Sequence, residues 1–155
     1  MMTMNEICKV VIIDDDYTAI EDLKKGLAVY SDMLIKGTAV NGAKGRKMIM
    51  EQRPDLLFLD IELPDMLGIR LLSDMREEVV WDMKVVFYTA YDKYLLQALR
   101  ESAFDYLLKP FTTEELDGII ERYRKAMVTH QVTPSFSASI AALLPQRDTF
   151  MISSV

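Results

Sequence analysis

The chain has 155 residues, half of them hydrophobic, which is enough for one domain with a proper core and little more. A net charge of −6, from 18 Lys and Arg against 24 Asp and Glu, argues against this chain alone gripping nucleic acid by its phosphates. The single Cys8 excludes an internal disulfide and a four-ligand cysteine zinc site, and no apolar run approaches the ~18 residues of a membrane span.

In chain order, "MMTMNEICKVVII" is too short an apolar run for a signal peptide and leads straight into Asp14. With a lone thiol that fits a reducing compartment, a soluble cytoplasmic protein is expected. Five short apolar runs read as strands: "KVVII" (9–13), "MLIKGTAV" (33–40), "DLLFL" (55–59), "KVVFY" (84–88) and "DYLL" (105–108). Helical spacing lies between and after them, in Ile20, Leu23, Leu27 and Tyr30, then Leu95, Ala98, Leu99 and Ser102, then Leu116, Ile119, Ile120, Tyr123 and Met127. Thr112 and Glu115, three apart, form a capping box at the start of the last helix. Strands alternating with helices predict a doubly wound α/β domain over residues 5–130, its parallel sheet covered on both faces. Residues 131–155, with two prolines and many serines, read as a linker and strand-like pieces without partners.

In such a sheet ligands bind beyond the carboxyl ends of the strands, where the winding reverses. The polar residues after the apolar runs are Asp14, Asp15 and Asp16, then Asp60, Thr89 and Lys109; Asn41 and Gly42, after the second run, contribute nothing comparable. In the order 2-1-3-4-5 the aspartate triplet faces Asp60. Carboxylates from two adjacent strand ends suit a hard cation such as Mg²⁺, which keeps waters and accepts phosphate oxygens at about 2.1 Å. A compact ammonium and a hydroxyl nearby suit a phosphoryl group. The set predicts phosphoryl transfer to a carboxylate. Each residue alone has an ordinary explanation, as a solvated turn, a helix cap or a surface charge. Four such coincidences at four strand ends do not.

Two families resemble parts of this pattern. Asp14, Asp16 and Thr18 resemble the first motif of the haloacid-dehalogenase-like phosphohydrolases, where Asp14 would be nucleophile and Asp16 general acid/base. That family adds an acidic metal-binding pair after its Lys, whereas here Glu114, Glu115, Asp117 and Glu121 follow on a helix, and Asp60 has no task. From "VVIIDDD" through "RPDLLFLDIELPDMLGIRLL" and "VVFYTAYDKY" to "FDYLLKPF", about residues 8–128, the chain resembles a two-component receiver domain.

The receiver resemblance implies a flavodoxin-like fold, with a five-stranded parallel sheet in the order 2-1-3-4-5. It implies that Asp60 accepts a phosphoryl group from a sensor histidine kinase and that the domain is a switch, not an enzyme. Mg²⁺ would be held by Asp15 directly, by Asp14 mainly through water, by Asp60 and by the Glu62 backbone carbonyl. Thr89 would hydrogen-bond the phosphoryl group, Lys109 would pair with it, and the Lys109–Pro110 bond would be cis. Tyr106 would be the switch aromatic, although a half-buried strand aromatic also serves as plain core. Asp16 would stand back from the metal. Leu67 departs from the Asp or Asn of many receivers, and Glu62 and Tyr91 would flank the attacking water. The face from about Tyr94 to Ala126, comprising the fourth helix, fifth strand and fifth helix, would carry a homodimer. The tail "ASIAALLPQRDTFMISSV" resembles the opening of a LytTR-type DNA-binding domain, so DNA would be bound only through an effector lying beyond it; a disordered extension is the other reading. His130, the one His, is expected exposed near a helix end, Trp81 structural, and the methionines gap-fillers in the core. A receiver-like module that binds partners without phosphorylation is the third functional class.

Overall fold

The computed structural model describes residues 6–100 and 103–129. Ser102, His130 and residues 131–155, with the linker and LytTR-like expectations attached to them, lie outside the described residues. The elements alternate as β1 (Cys8–Ile13), α1 (Tyr17–Leu27), β2 (Met33–Ala39), α2 (Gly42–Gln52), β3 (Leu56–Leu59), α3 (Gly68–Asp74), β4 (Lys84–Thr89), α4 (Leu95–Arg100), β5 (Asp105–Leu108) and α5 (Thr113–Thr129). The strands form one parallel sheet in the order β2-β1-β3-β4-β5, as expected.

Alternation along each strand builds a core on each face. Val10, Ile12, Leu56, Phe58 and Val86 point to α1 and α5, meeting Ile20, Leu23, Leu27, Leu116, Ile119 and Ile120. Val11, Ile13, Leu57, Leu59, Val85 and Phe87 point the other way, to Ile49, Ile69, Leu71 and Ala98. Burial on both faces explains why β1 and β3 read as unbroken apolar runs. Each fully buried Leu or Ile contributes on the order of 1.5–3 kcal/mol.

Helix starts follow local chemistry. Asp16 caps α1 by accepting from Thr18 N at 2.9 Å, and Asn41 caps α2 by accepting from Lys44 N at 2.8 Å. The capping box of α5 is reciprocal, with Glu115 N donating to Thr112 Oγ1 and Thr112 N to Glu115 Oε1. Helix α1 stops at Leu27, short of the Tyr30 its spacing suggested. Tyr30 lies in the turn beyond, packs against the core, and its hydroxyl donates to Asp117 of α5. A tertiary partner, not helical period, sets its position.

Met33 and Met75 are buried, and Met48, Met66, Met83 and Met127 pack against the two cores, while Met50 is exposed. Trp81 is structural: its indole donates to the Pro54 carbonyl at 2.8 Å and the Arg53 guanidinium lies 4.3 Å from its ring centre. Cys8 is buried and burial pushes its thiol up to about 12, so it stays a small apolar residue.

Arg124 of α5 forks onto Asp32, just before β2, through Nε at 3.0 Å and a terminal nitrogen at 2.7 Å, and lies over the Tyr30 ring. These bonds hold the Asp32 carboxyl below its ordinary value. A lowered folded-state value means stability that is complete above the ordinary carboxyl range and lost as the pH falls through the lowered value. Arg124→Ala should therefore cost about 0.5–1 kcal/mol at neutral pH, the range of a partly exposed pair. Urea denaturation of both proteins should show that gap closing below about pH 4; an unchanged gap in acid would contradict the assignment.

Candidate functional site

Strand register brings the chemistry together. Ile13 is paired with Leu59, and Asp60 N donates to the Ile13 carbonyl at 2.9 Å, so Asp14 and Asp60 emerge side by side. Thr89 is paired with Leu108, and Lys109 N donates to the Thr89 carbonyl at 2.8 Å. All four residues thus stand at one edge of the sheet, as their positions after the apolar runs predict.

Asp14 and Thr89 are fully buried and Asp60 is 6% exposed, while Asp15 faces solvent. The Lys109 ammonium lies 2.7 Å from Asp14 Oδ2 and 3.4 Å from Asp60 Oδ2. Burial alone would pull that ammonium down, but the two carboxylates outweigh burial and hold it above its ordinary value. Burial pushes the Asp14 carboxyl up to about 6, against the Lys109 ammonium and the Asp16 amide that donates to its Oδ1 at 2.9 Å. The Lys109–Pro110 bond is cis.

Oxygens of Asp14, Asp15 and Asp60 all lie within 4.8 Å of one another. Asp14 Oδ2 is buried and accepts no well-directed hydrogen bond from a described residue, despite the nearby Lys109. A buried carboxylate oxygen met only by the Lys109 ammonium, beside two more carboxylates, fits a hard divalent cation with oxygen ligands. Asp16 does not join this set, because its carboxylate is used as the α1 cap. The general acid that the phosphohydrolase pattern needs is therefore turned away.

The loops around the site are linked in ways spacing did not reveal. Thr89 Oγ1 accepts from Tyr91 N at 3.4 Å, and the Tyr91 carbonyl accepts from the Tyr106 hydroxyl at 2.5 Å, so Thr89 and Tyr106 share one connected path. The Tyr94 hydroxyl donates to Glu62 Oε2 at 2.6 Å, with Lys93 at 3.8 Å from the same oxygen. Tyr88, beneath Lys109, has its ring centre 5.0 Å from the ammonium and donates to the Ala19 carbonyl. Apart from Tyr91 and Thr89, these partners are well separated in sequence, and the hint of them was the aromatic density of "FYTAYDKY".

Gly68 opens α3 against the backbone of Asp60. A Cβ there would run into the Asp60 carbonyl oxygen, and Gly68 N donates to the Ile61 carbonyl at 2.6 Å. Leu67 stands at the N-cap with no side-chain hydrogen bond, where an Asp or Asn would have supplied one.

The family model of the response regulator receiver domain matches residues 10–121. A response regulatory protein of Vibrio vulnificus (strain CMCP6) is 41% identical over 88% of this chain and 54% of its own length. The transcriptional regulatory protein BtsR of Escherichia coli (strain K12) is 38% identical over 76% of this chain and 48% of its own length. Among solved structures, the response regulatory domain of mrkE from Klebsiella pneumoniae superimposes with a TM-score of 0.70 at 28% identity, covering 76% of this chain and 96% of that one. The REC domain of AraT, a response regulator from Geobacillus stearothermophilus, gives 0.73 at 26% identity, covering 81% and 99%.

The chain belongs to the response regulator receiver domain family. It is a signalling domain rather than a catalytic enzyme, and the phosphohydrolase reading is not favoured. The chain spans about half the length of the curated relatives it matches.

Two glycine substitutions separate close approach from mere flexibility. Gly68→Ala should destabilise by about 1–3 kcal/mol, because rigid backbone must move. Gly118→Ala, inside α5, meets nothing nearer than the end of the Arg122 side chain at 3.3 Å and should stabilise by up to about 1 kcal/mol. Urea denaturation of both variants measures the contrast; equal and small effects would refute it.

Proposed function

We propose that Asp60 is the phosphoacceptor of a two-component switch. The observation that carries this reading is the cluster of Asp14, Asp15 and Asp60 oxygens with Lys109 beside two of them. An Asp60 oxygen attacks the phosphorus of a phosphohistidine on a sensor kinase; the new P–O bond forms as the P–N bond breaks and the imidazole leaves. Lys109, already beside Asp60, pairs with the incoming phosphoryl group, and the Thr89 hydroxyl donates to it. Asp14, Asp15, Asp60 and the Glu62 backbone carbonyl would hold Mg²⁺. Bound there, the ion would supply charge neutralisation for the transferring group.

The consequence is conformational. The added charge redraws the bonds of Thr89 and Lys109, and the connection from Thr89 through Tyr91 to Tyr106 supports Tyr106 as the switch residue. We place the altered surface on α4, β5 and α5, and infer that it forms a homodimer. The output is transcriptional control in the cytoplasm, supported by relatives named as transcriptional regulators. DNA is contacted only through an effector domain beyond the receiver at 5–130, of which residues 131–155 are the linker and beginning. Among the described residues no helix is long and apolar enough to cross a membrane.

Intact mass after incubation with acetyl phosphate and Mg²⁺ tests the assignment. The wild type should gain one phosphoryl group and Asp60→Asn none. Hydrolysis without an adduct, dependent on Asp14, would restore the phosphohydrolase, and neither adduct nor hydrolysis would leave a phosphate-independent binding module. Lys109→Ala should still be phosphorylated but fail to dimerise, as read by sedimentation; normal phosphate-driven dimerisation would remove its switching role.

A further inference from the structure

The turn that follows Asp60 is fastened to a neighbouring helix by a residue outside the acidic cluster. Asp65 places both carboxylate oxygens on the first amides of α2, accepting from Gly42 N at 2.7 Å and Ala43 N at 2.9 Å. Those amides have no partner within the helix, and they carry the positive end of its dipole. Asn41, the helix's own cap, reaches only Lys44 N, so Asp65 takes what Asn41 leaves.

The approach is close as well as polar. Met66 lies so near Gly42 that a Cβ at Gly42 would meet Met66 Cγ at 2.7 Å. The turn is also stiff within itself. Leu63 N donates to the Met66 carbonyl at 3.2 Å, Glu62 and Leu67 are bridged in antiparallel fashion, and Gly68 N donates to the Ile61 carbonyl at 2.6 Å. Anything that moves Asp65 and Met66 therefore moves Glu62, whose backbone carbonyl is the one proposed metal ligand that is not a carboxylate.

We propose that Asp65 is a positioning residue for the metal, clamping the turn to α2 so that the Glu62 carbonyl is held toward the carboxylates. The inference rests on the phosphoacceptor reading above and deepens it. Asp65 touches neither metal nor phosphoryl group; it acts through the turn.

The test compares Asp65→Ala with Asn41→Ala. Both remove a cap from the same helix start, but only the first unfastens the turn. Mg²⁺ titration by calorimetry should show affinity roughly tenfold weaker in Asp65→Ala, the low end of the loss when an outer partner of a metal ligand is removed. Asp65→Asn, which keeps one acceptor oxygen, should fall between, and Asn41→Ala should stay within twofold of wild type. With acetyl phosphate, Asp65→Ala should need more Mg²⁺ for half-maximal phosphorylation yet reach the wild-type rate at saturation. In the metal-free protein, hydrogen exchange at Gly42 and Ala43 should quicken in Asp65→Ala. Equal weakening by Asn41→Ala, or unchanged Mg²⁺ affinity in Asp65→Ala, would overturn the proposal while leaving the phosphoacceptor reading intact. A wild type that neither binds Mg²⁺ nor takes up phosphoryl would overturn both.

Discussion

Two carboxylates buried at neighbouring strand ends, with one ammonium between them, are the constraint on which the rest of this structure turns. Asp14 and Asp60 lie side by side because Ile13 and Leu59 are paired, and Lys109 is brought to both by the pairing of β4 with β5. Burying a charge without a partner costs several kcal/mol, so the arrangement persists only because Lys109 offsets part of the repulsion. It offsets one negative charge of two, and solvent-facing Asp15 adds a third. That surplus suits the site to a divalent cation.

The loops around the carboxylates carry the consequences outward. The turn after Asp60 is tied to α2 through Asp65 and to the residue before α4 through Glu62 and Tyr94. The loop after Thr89 is tied to β5 through Tyr106. Each of these loops is thus held at more than one point around the carboxylates. The opposite end of the molecule is fixed by different means: Arg124, Asp32, Tyr30 and Asp117 join α5 to the start of β2, and Trp81 closes on Pro54 and Arg53.

Much of this was legible in the chain. Apolar runs broken by helical spacing announced the alternating elements, since a strand buried on both faces has no polar residue to spare. The residues just past each run pointed to the site, because the carboxyl ends of parallel strands all open on one edge. Thr112 and Glu115 announced the start of α5, three residues apart as reciprocal capping demands. These are local facts of period and stereochemistry, and they need no knowledge of distant neighbours.

What only the tertiary structure decided are the matters of distance. Three adjacent aspartates look alike in sequence; the fold buries Asp14, leaves Asp15 in solvent and spends Asp16 on a helix cap. Tyr30 continues the period of α1 yet lies beyond its end, held by Asp117 eighty-seven positions away. Nothing in the local sequence shows that Gly68 abuts the Asp60 carbonyl or that Asp65 reaches the start of α2. Such contacts depend on strand register and loop course, which the whole chain sets at once, so no short window of sequence contains them.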